Sequence, residues 1–275
     1  MSLKEYRAKR NFAESPEPSG DEPRPRTKKP GLFFCVQKHL ATQLHYDFRL
    51  EHDGVLLSWA VPKGPSLNPA DKRLAMHVED HPLAYGTFEG VIPSGYGAGI
   101  VMLWDQGTWE PEGDDVEAAL AKGDLKLRLD GVKLKGSWVL VRTRGYGDKG
   151  WLLIKHRDEW AGPVDIATFA PLSVKSGGDF TDILEQEAPA IWKSNRGAKT
   201  GSDHLLKIVE RAVALKRERE QSTAPTATAA PRTKSPGATA PPSATSRRAR
   251  STSARPARPE AGKRVGAPKK VAKKR

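Results

Sequence analysis

The chain has 275 residues, 46 Lys+Arg against 33 Asp+Glu, a formal net charge of +13 and a single cysteine, Cys35. One cysteine excludes an intramolecular disulfide and fits a reducing compartment, and no apolar run is long enough to cross a bilayer as a helix. The excess charge sits at one end: residues 221–275 hold fourteen Lys/Arg and one acid, Glu260, so residues 1–220 carry 32 of each sign and balance.

In chain order, "MSLKEYRAKRNF" has no apolar core of the kind a secretion signal needs. Residues 13–31 contain five prolines and no large apolar side chain, which excludes helix and central strand and predicts a loop or arm. From Leu32 to Trp160 short apolar alternations are divided by Gly, Pro, Asp and Asn: "LHYDFRL", "GVLLSWAVP", "RLAMHVED", "GIVMLWDQGTWE", "DLKLRLDG", "VKLKGSWVLVRT" and "GWLLIKH" each read as a strand. "DDVEAALAKGD" interrupts them with a helix, capped by Asp114 or Asp115 and stopped by Gly123. "DFTDILEQEAPAIW" offers a short helix, and "SDHLLKIVERAVALKRERE" a longer one with a stripe of Leu205, Ile208, Val209, Ala212 and Leu215, read as a surface helix. Beyond Gln221 the chain is Ala, Pro, Ser, Thr, Lys and Arg without aromatics, a composition that stays disordered.

The fold class is therefore mainly all-β: a closed or nearly closed antiparallel β-barrel with one short helix alongside, a C-terminal helix and a disordered tail. The expected organisation is a barrel domain over 1–165, a linker with helical segments over 166–220 and a basic tail over 221–275. A separate basic tail suits a polyanion, most simply nucleic acid.

The functional signal begins in "HLATQLHYDFRLE", His39 to Glu51. Side chains alternate across a strand, so Leu44, Tyr46, Phe48 and Leu50 share one face and His45, Asp47, Arg49 and Glu51 the other. Imidazole and carboxylate suit Mn²⁺ or Zn²⁺, and His39 arriving from the preceding turn would complete three protein ligands with positions left open. The bland alternative is a solvent-facing strand with an Asp–Arg pair and two unrelated histidines. A second strand, "RLAMHVEDHPLAYG", adds weight: His77, Glu79 and His81 alternate with Leu74, Met76 and Val78, and Tyr85 follows. Glu79 and His81 read as part of a site, and His77 as structural or exposed. His52, His156 and His204 read as ordinary surface residues. A metal beside an arginine fork and a non-ligand imidazole is a phosphate-ester set. There is no Walker loop, G-x-S-x-G or Cys/His pair, and "GYGAG" at 95–99 leads into a strand, so it reads as a turn or bulge rather than a dinucleotide loop.

These residues carry a resemblance. "YRAKRNFAESPEPSG", "FCVQKHLATQLHYDFRLE", "LLSWAVPKGPS", "EDHPLAYGTFEGVIPSGYGAG", "WDQGTWEP" and "GWLLIKHRDEW" resemble the 3′-phosphoesterase domain of bacterial DNA ligase D, from about Leu3 to Trp160. The resemblance implies a β-barrel with a helix alongside and an activity that depends on Mn²⁺ or another divalent cation. That activity works at 3′ ends of a primer strand: it removes a terminal ribonucleoside by phosphodiesterase action and the remaining 3′-phosphate by phosphomonoesterase action. It implies His39, His45 and Asp47 as metal ligands, Arg49 and His81 on the scissile phosphate with Tyr85 beside it, and Glu79, Arg10 and Glu17 as further catalytic positions. Gln37, Lys63 and Arg73 match substrate-contacting positions. Asn11 departs from the family pattern, which has an acid there. The segment "PLSVKSGGDFTDILEQEAPAIWKSNR" resembles the linker after this domain in the full ligase, and the sequence shows no polymerase or ligase module beyond it. The expected setting is break repair by non-homologous end joining in a prokaryotic cytoplasm, associated with the nucleoid and away from membranes. The expected partners are primer–template DNA ends and Ku, ligase or polymerase on separate chains. The rival expectation is a DNA-end binding or scaffold module with weak or no esterase activity.

Overall fold

Apolar residues at every second position become ten strands in the computed structural model, which describes residues 2–22, 31–187 and 202–223. They are β1 (Leu32–Leu40), β2 (Leu44–His52), β3 (Val55–Val61), β4 (Arg73–Pro82), β5 (Gly90–Ile92), β6 (Gly99–Pro111), β7 (Asp124–Gly131), β8 (Lys135–Arg142), β9 (Gly145–Asp148) and β10 (Gly150–Lys155). The sheet runs β1-β2-β3-β4-β10-β8-β7-β6, and β6 pairs back with β1, so eight antiparallel strands close into a barrel as the sequence predicts. β6 has 13 residues, long enough to pair β1 along one edge and both β5 and β7, at opposite ends, along the other. Closure leaves no long open edge for another chain to pair with.

One parity of each strand fills the interior: Phe34 and Val36, Phe48 and Leu50, Leu57 and Trp59, Leu127 and Leu129, Trp138 and Leu140, Trp151 and Leu153. Trp59, Trp104, Trp109 and Trp138 are wholly enclosed. Truncating one such indole to alanine costs about 3–5 kcal/mol in a packed core.

Helix α1 (Lys4–Ala8) belongs to an N-terminal arm; its Tyr6 is buried, and its hydroxyl donates to the Pro18 carbonyl at 2.6 Å. Among its contacts with β4, the arm places Ser2 N–H on Asp80 at 3.2 Å and Lys9 on Glu79 at 3.0 Å. A 3₁₀ turn, Leu83–Thr87, follows β4. Helix α2 (Val116–Lys122) has the anticipated boundaries, with Asp115 accepting from Ala118 N–H at 2.8 Å and Gly123 left-handed at φ 81°.

Helices α3 (Ile166–Phe169), α4 (Phe180–Glu187) and α5 (Ser202–Thr223) follow the barrel. Ile166, Phe180, Ile183, Leu184, Ile208 and Ala212 are buried together with the barrel's apolar residues. The stripe read from the sequence of α5 is thus an inward face. At its end Arg219 holds Asp179 at 2.7 Å. The predicted tail lies outside the described residues from position 224 onward. Among the described residues no helix is long and apolar enough to cross a membrane.

Candidate active site

The second parity of β1 to β4 faces outward and carries ionic side chains beside a second apolar cluster that includes Phe33, Cys35 and Leu56. Register brings its members into rows: His39 opposes His45, Gln37 opposes Asp47, and Cys35 opposes Arg49. One strand further, Asp47 opposes Ala60 and Arg49 opposes Ser58. This outer patch is roofed by the arm, by the turn carrying Tyr85 and by the loop before β6. The result is a groove of about 230 Å³ lined by Arg10, Glu17, His39, His45, Asp47, Arg49, Glu79, His81, Tyr85 and Tyr96 among others.

His39, His45 and Asp47 each present one donor atom, and the three atoms lie within 4.8 Å of one another. His39 Nε2 sits 2.9 Å from the Gly97 carbonyl, and His45 Nδ1 2.9 Å from the Gln43 carbonyl. A carbonyl only accepts, so each of those nitrogens carries the proton. The opposite nitrogens are then lone pairs, facing Asp47 at 3.7 and 3.8 Å. Those separations are too long for hydrogen bonds and suit three donors converging on one cation. The set therefore fits a divalent ion such as Mn²⁺ or Zn²⁺ by chemistry and by orientation.

Burial pushes the Asp47 carboxyl up, but the Arg49 guanidinium beside it reverses this and holds it well below the usual carboxylate range. Arg49 is almost inaccessible. Its Nε donates to Gln37 Oε1 at 2.8 Å, Nη1 to Ser58 Oγ at 2.8 Å and Nη2 to Asp47 Oδ2 at 3.1 Å. Three of its five N–H groups are thus fixed, and among the described residues none takes the other two, which can serve a ligand oxygen. Gln37 in turn donates to the carbonyls of Tyr85 and Phe88 at 2.9 and 2.8 Å. It is a buried brace behind Arg49 and not a surface contact.

His81 Nδ1 donates to the Glu79 carbonyl at 2.8 Å, which leaves Nε2 to accept from Arg10 Nη2 at 3.2 Å. Burial, then Arg49 and Arg10, hold its pKa well below the ordinary imidazole value, so it is neutral. Arg10 itself is gripped by Glu17 at 2.8 Å and Glu79 at 3.3 Å. Ion pairing with Glu17 outweighs burial and raises its pKa further. Glu79 also takes Lys9 at 3.0 Å; burial alone would raise its pKa, but its own backbone N–H and these cations lower it. Tyr85 is buried 4.9 Å from His81, and among the described residues its hydroxyl has no hydrogen-bond partner. Burial raises its pKa well above the ordinary phenol value, which keeps the hydroxyl a donor.

Ten of the twelve site residues read from the sequence thus meet in or directly behind one groove; Lys63 and Arg73 do not. Lys63 is exposed in the turn after β3, and Arg73 is bonded to Asp71 at 2.9 Å at the start of β4. The strict alternation read along β4 also needs correction. Ser58 opposes Val78 but Leu56 opposes His81, so β4 carries one extra residue, a bulge. The bulge turns Val78, Glu79 and His81 all towards the groove, while His77 remains on the inner parity against Trp59 at 5.2 Å. His52 and His156 are half-buried rather than plainly exposed, and His156 meets Ser137 at 2.7 Å. Asn11 is exposed, and its side chain accepts from Ala13 N–H at 3.2 Å, so it shapes the arm's turn and does not enter the groove. Cys35 is buried beneath the site, with its thiol pushed up to about 12 by burial, and is no nucleophile near neutrality. Ser58 and Tyr96 went unnoticed in the sequence. Ser58 shares Arg49's face only through cross-strand register, and Tyr96 lies in a glycine turn without strand periodicity.

A barrel of this topology defines an all-β protein, and the groove on its outer wall gathers three candidate metal donors beside a buried arginine. Residues 37–142 match the family model of the DNA ligase D 3′-phosphoesterase domain. The chain is 56% identical over 166 residues to a multifunctional non-homologous end joining protein LigD of Pseudomonas aeruginosa, covering 59% of this chain and 19% of that protein. It is 47% identical over 150 residues to the Mycobacterium tuberculosis non-homologous end joining DNA repair protein LigD, covering 52% of this chain and 18% of the relative. A LigD of Mycolicibacterium smegmatis is 41% identical over 182 residues, with 64% and 23% covered. The chain thus spans about a fifth of the length of these relatives.

Proposed function

We propose that the groove is the active site of a DNA 3′-end phosphoesterase that depends on a divalent cation, Mn²⁺ for preference, and that serves break repair by end joining. The observation that carries the reading is the convergence of His39, His45 and Asp47, with their lone pairs directed at one point, beside an arginine that keeps free N–H groups. A cation held there would polarise a phosphoryl oxygen and lower the pKa of bound water. Arg49 would grip the phosphate with its remaining N–H groups, since Gln37 and Ser58 fix the plane of the guanidinium before any ligand arrives. The Tyr85 hydroxyl would donate to an ester or phosphoryl oxygen. His81, neutral with a lone pair on Nε2, would accept a proton once the substrate draws Arg10 away, and Arg10 would donate to a phosphate oxygen.

On this reading the substrates are primer–template ends bearing a terminal ribonucleotide or a 3′-phosphate. Ku, ligase and polymerase on other chains would be partners in joining, and residues 221–275 would hold DNA by charge alone. Incubating the protein with a labelled primer–template of each kind, with and without Mn²⁺, tests it. Conversion to a 3′-hydroxyl with the metal and none in excess chelator is expected. Intact ends in saturating Mn²⁺ would overturn the reading and leave the DNA-end scaffold as its replacement.

A further inference from the structure

The loop before β6 ends in a turn that carries a side chain, Tyr96, which the metal and phosphate chemistry does not use. Ala98 N–H bonds to the Gly95 carbonyl at 3.3 Å, closing a four-residue turn with Tyr96 at its second position. Gly97, at the third, has φ +80°, as a type II turn requires. A tyrosine in the second position projects from the tip. The turn is not free to wander, because the Gly97 carbonyl is the one that fixes His39. The ring is therefore indexed to a candidate metal ligand through a single residue.

Tyr96 lines the groove yet is 51% exposed, whereas Tyr6 and Tyr85 in the same region are enclosed. Lys9 Nζ lies 4.9 Å and the Arg10 guanidinium 5.6 Å from its centroid. Both cations are bound to the Glu79 carboxylate, so they approach the ring together and steady it. The rest of the ring is open to solvent at the mouth of the groove. An exposed aromatic held beside a phosphate-type centre and flanked by cations is a stacking platform with backbone-phosphate contacts at hand.

We propose that Tyr96 forms a base-stacking subsite, so that the groove takes the terminal nucleoside of a nucleic-acid strand and not merely its phosphate. The inference rests on the function proposed above and names the part of the substrate that function leaves open. Stacking is tolerant of base identity because every base has a π-face, which suits an enzyme that must accept any end. It also gives a physical reason to discriminate a strand terminus from a small phosphate monoester.

The test is a binding cycle that needs no turnover. Anisotropy of a fluorescein-labelled primer–template with a 3′-phosphate is measured for the wild type, Tyr96→Ala, Tyr96→Phe and Tyr96→Trp, each against a normal terminal nucleotide and an abasic one. Tyr96→Ala is expected to weaken binding of the normal end about 10-fold, within the range for stacking one base, and to leave the abasic end unchanged. Tyr96→Phe and Tyr96→Trp should keep wild-type affinity. An equal loss of Tyr96→Ala on both ends would overturn the subsite, and a loss in Tyr96→Phe would reassign the residue to hydroxyl bonding. An absence of hydrolysis by the wild type would refute the esterase reading alone, since the cycle reports binding.

Discussion

Two buried carboxylates flank β1 and face opposite fates. Asp47 on β2 opposes Gln37, and Asp105 on β6 opposes Val36. Asp47 is surrounded by Arg49, His39 and His45, and its pKa falls despite burial. Asp105 is raised from 3.8 to about 6 by burial, although Lys133 and Leu134 N–H groups donate to it at 2.9 and 2.8 Å. Backbone N–H groups together with the charge of Lys133 do not offset desolvation at Asp105, whereas the guanidinium bonded directly to Asp47 does so there. One carboxylate is therefore ionised and available as a ligand at any physiological pH. The other is a brace for the β7–β8 turn that carries an electrostatic cost.

The largest expected effect breaks the Asp47 side. Asp47→Ala removes a donor from the three-ligand set and strands Arg49 with an unpaired buried charge. Turnover on a 3′-phosphate end should fall on the order of 10³-fold or more, with Mn²⁺ affinity by calorimetry falling alongside. Retention of both would remove Asp47 from the site.

His81→Ala comes next and separates ligand from phosphate roles. His81 faces Arg10 and is not a member of the three-donor cluster. The rate should fall about 10²–10³-fold, as for other positioned transition-state groups, while Mn²⁺ binding stays at the wild-type value. Loss of the metal would move His81 into the ligand set.

Asp105 supplies a pH test of opposite sign. Its folded pKa is above its unfolded value, so its contribution to stability is full below about pH 4 and is lost as pH rises through 6. The span is about 3 kcal/mol for a shift of roughly two units. Asp47 works the other way: its stabilisation is present above the ordinary carboxylate range and is lost as pH falls through its depressed value. Denaturation of wild type and Asp105→Asn between pH 4 and 7 isolates the first term by difference. Asp105→Asn should lose that pH-dependent component, while the amide's misfit against two N–H donors costs about 1–3 kcal/mol at every pH. Parallel pH profiles for the two proteins would count against the raised pKa.

What was legible in the sequence follows the same divide. Where pairing is regular, period-two reading assigned both faces of β2 from Leu44 to Glu51, and barrel closure followed from many short strands. His39 was expected on the turn before β2; it lies on β1, directly opposite His45. The bulge in β4 defeated the reading because an extra residue leaves no mark in a hydrophobic pattern. Lys63 and Arg73 were carried by resemblance, and their position relative to the groove is set by turns whose geometry no periodicity encodes. The arm's contribution depends on Arg10 meeting Glu79, 69 positions away, a contact only closure of the fold creates. Asp105 left no signal at all, since its partners are backbone groups.

The smallest expected effect sharpens the reason Asp47 differs from Asp105. Arg49→Lys keeps the positive charge that lowers the Asp47 pKa but replaces a planar fork by a point charge. Lysine has three N–H donors on one nitrogen, and the partners of Arg49, Gln37, Ser58 and Asp47, are arranged around a plane. An ammonium that stays with Asp47 abandons Gln37 and Ser58, and then nothing aims its remaining proton at a ligand. The net loss is that of about one charge-assisted hydrogen bond, about 1.5–3 kcal/mol. Turnover should fall about 10- to 100-fold, since 1.36 kcal/mol is tenfold. If charge alone distinguishes Asp47 from Asp105, Mn²⁺ affinity will survive this substitution while rate declines. If the fork's geometry is what holds Asp47 in register with His39 and His45, both will decline together. Calorimetric Mn²⁺ titration beside single-turnover rates on a 3′-phosphate end decides between charge and geometry.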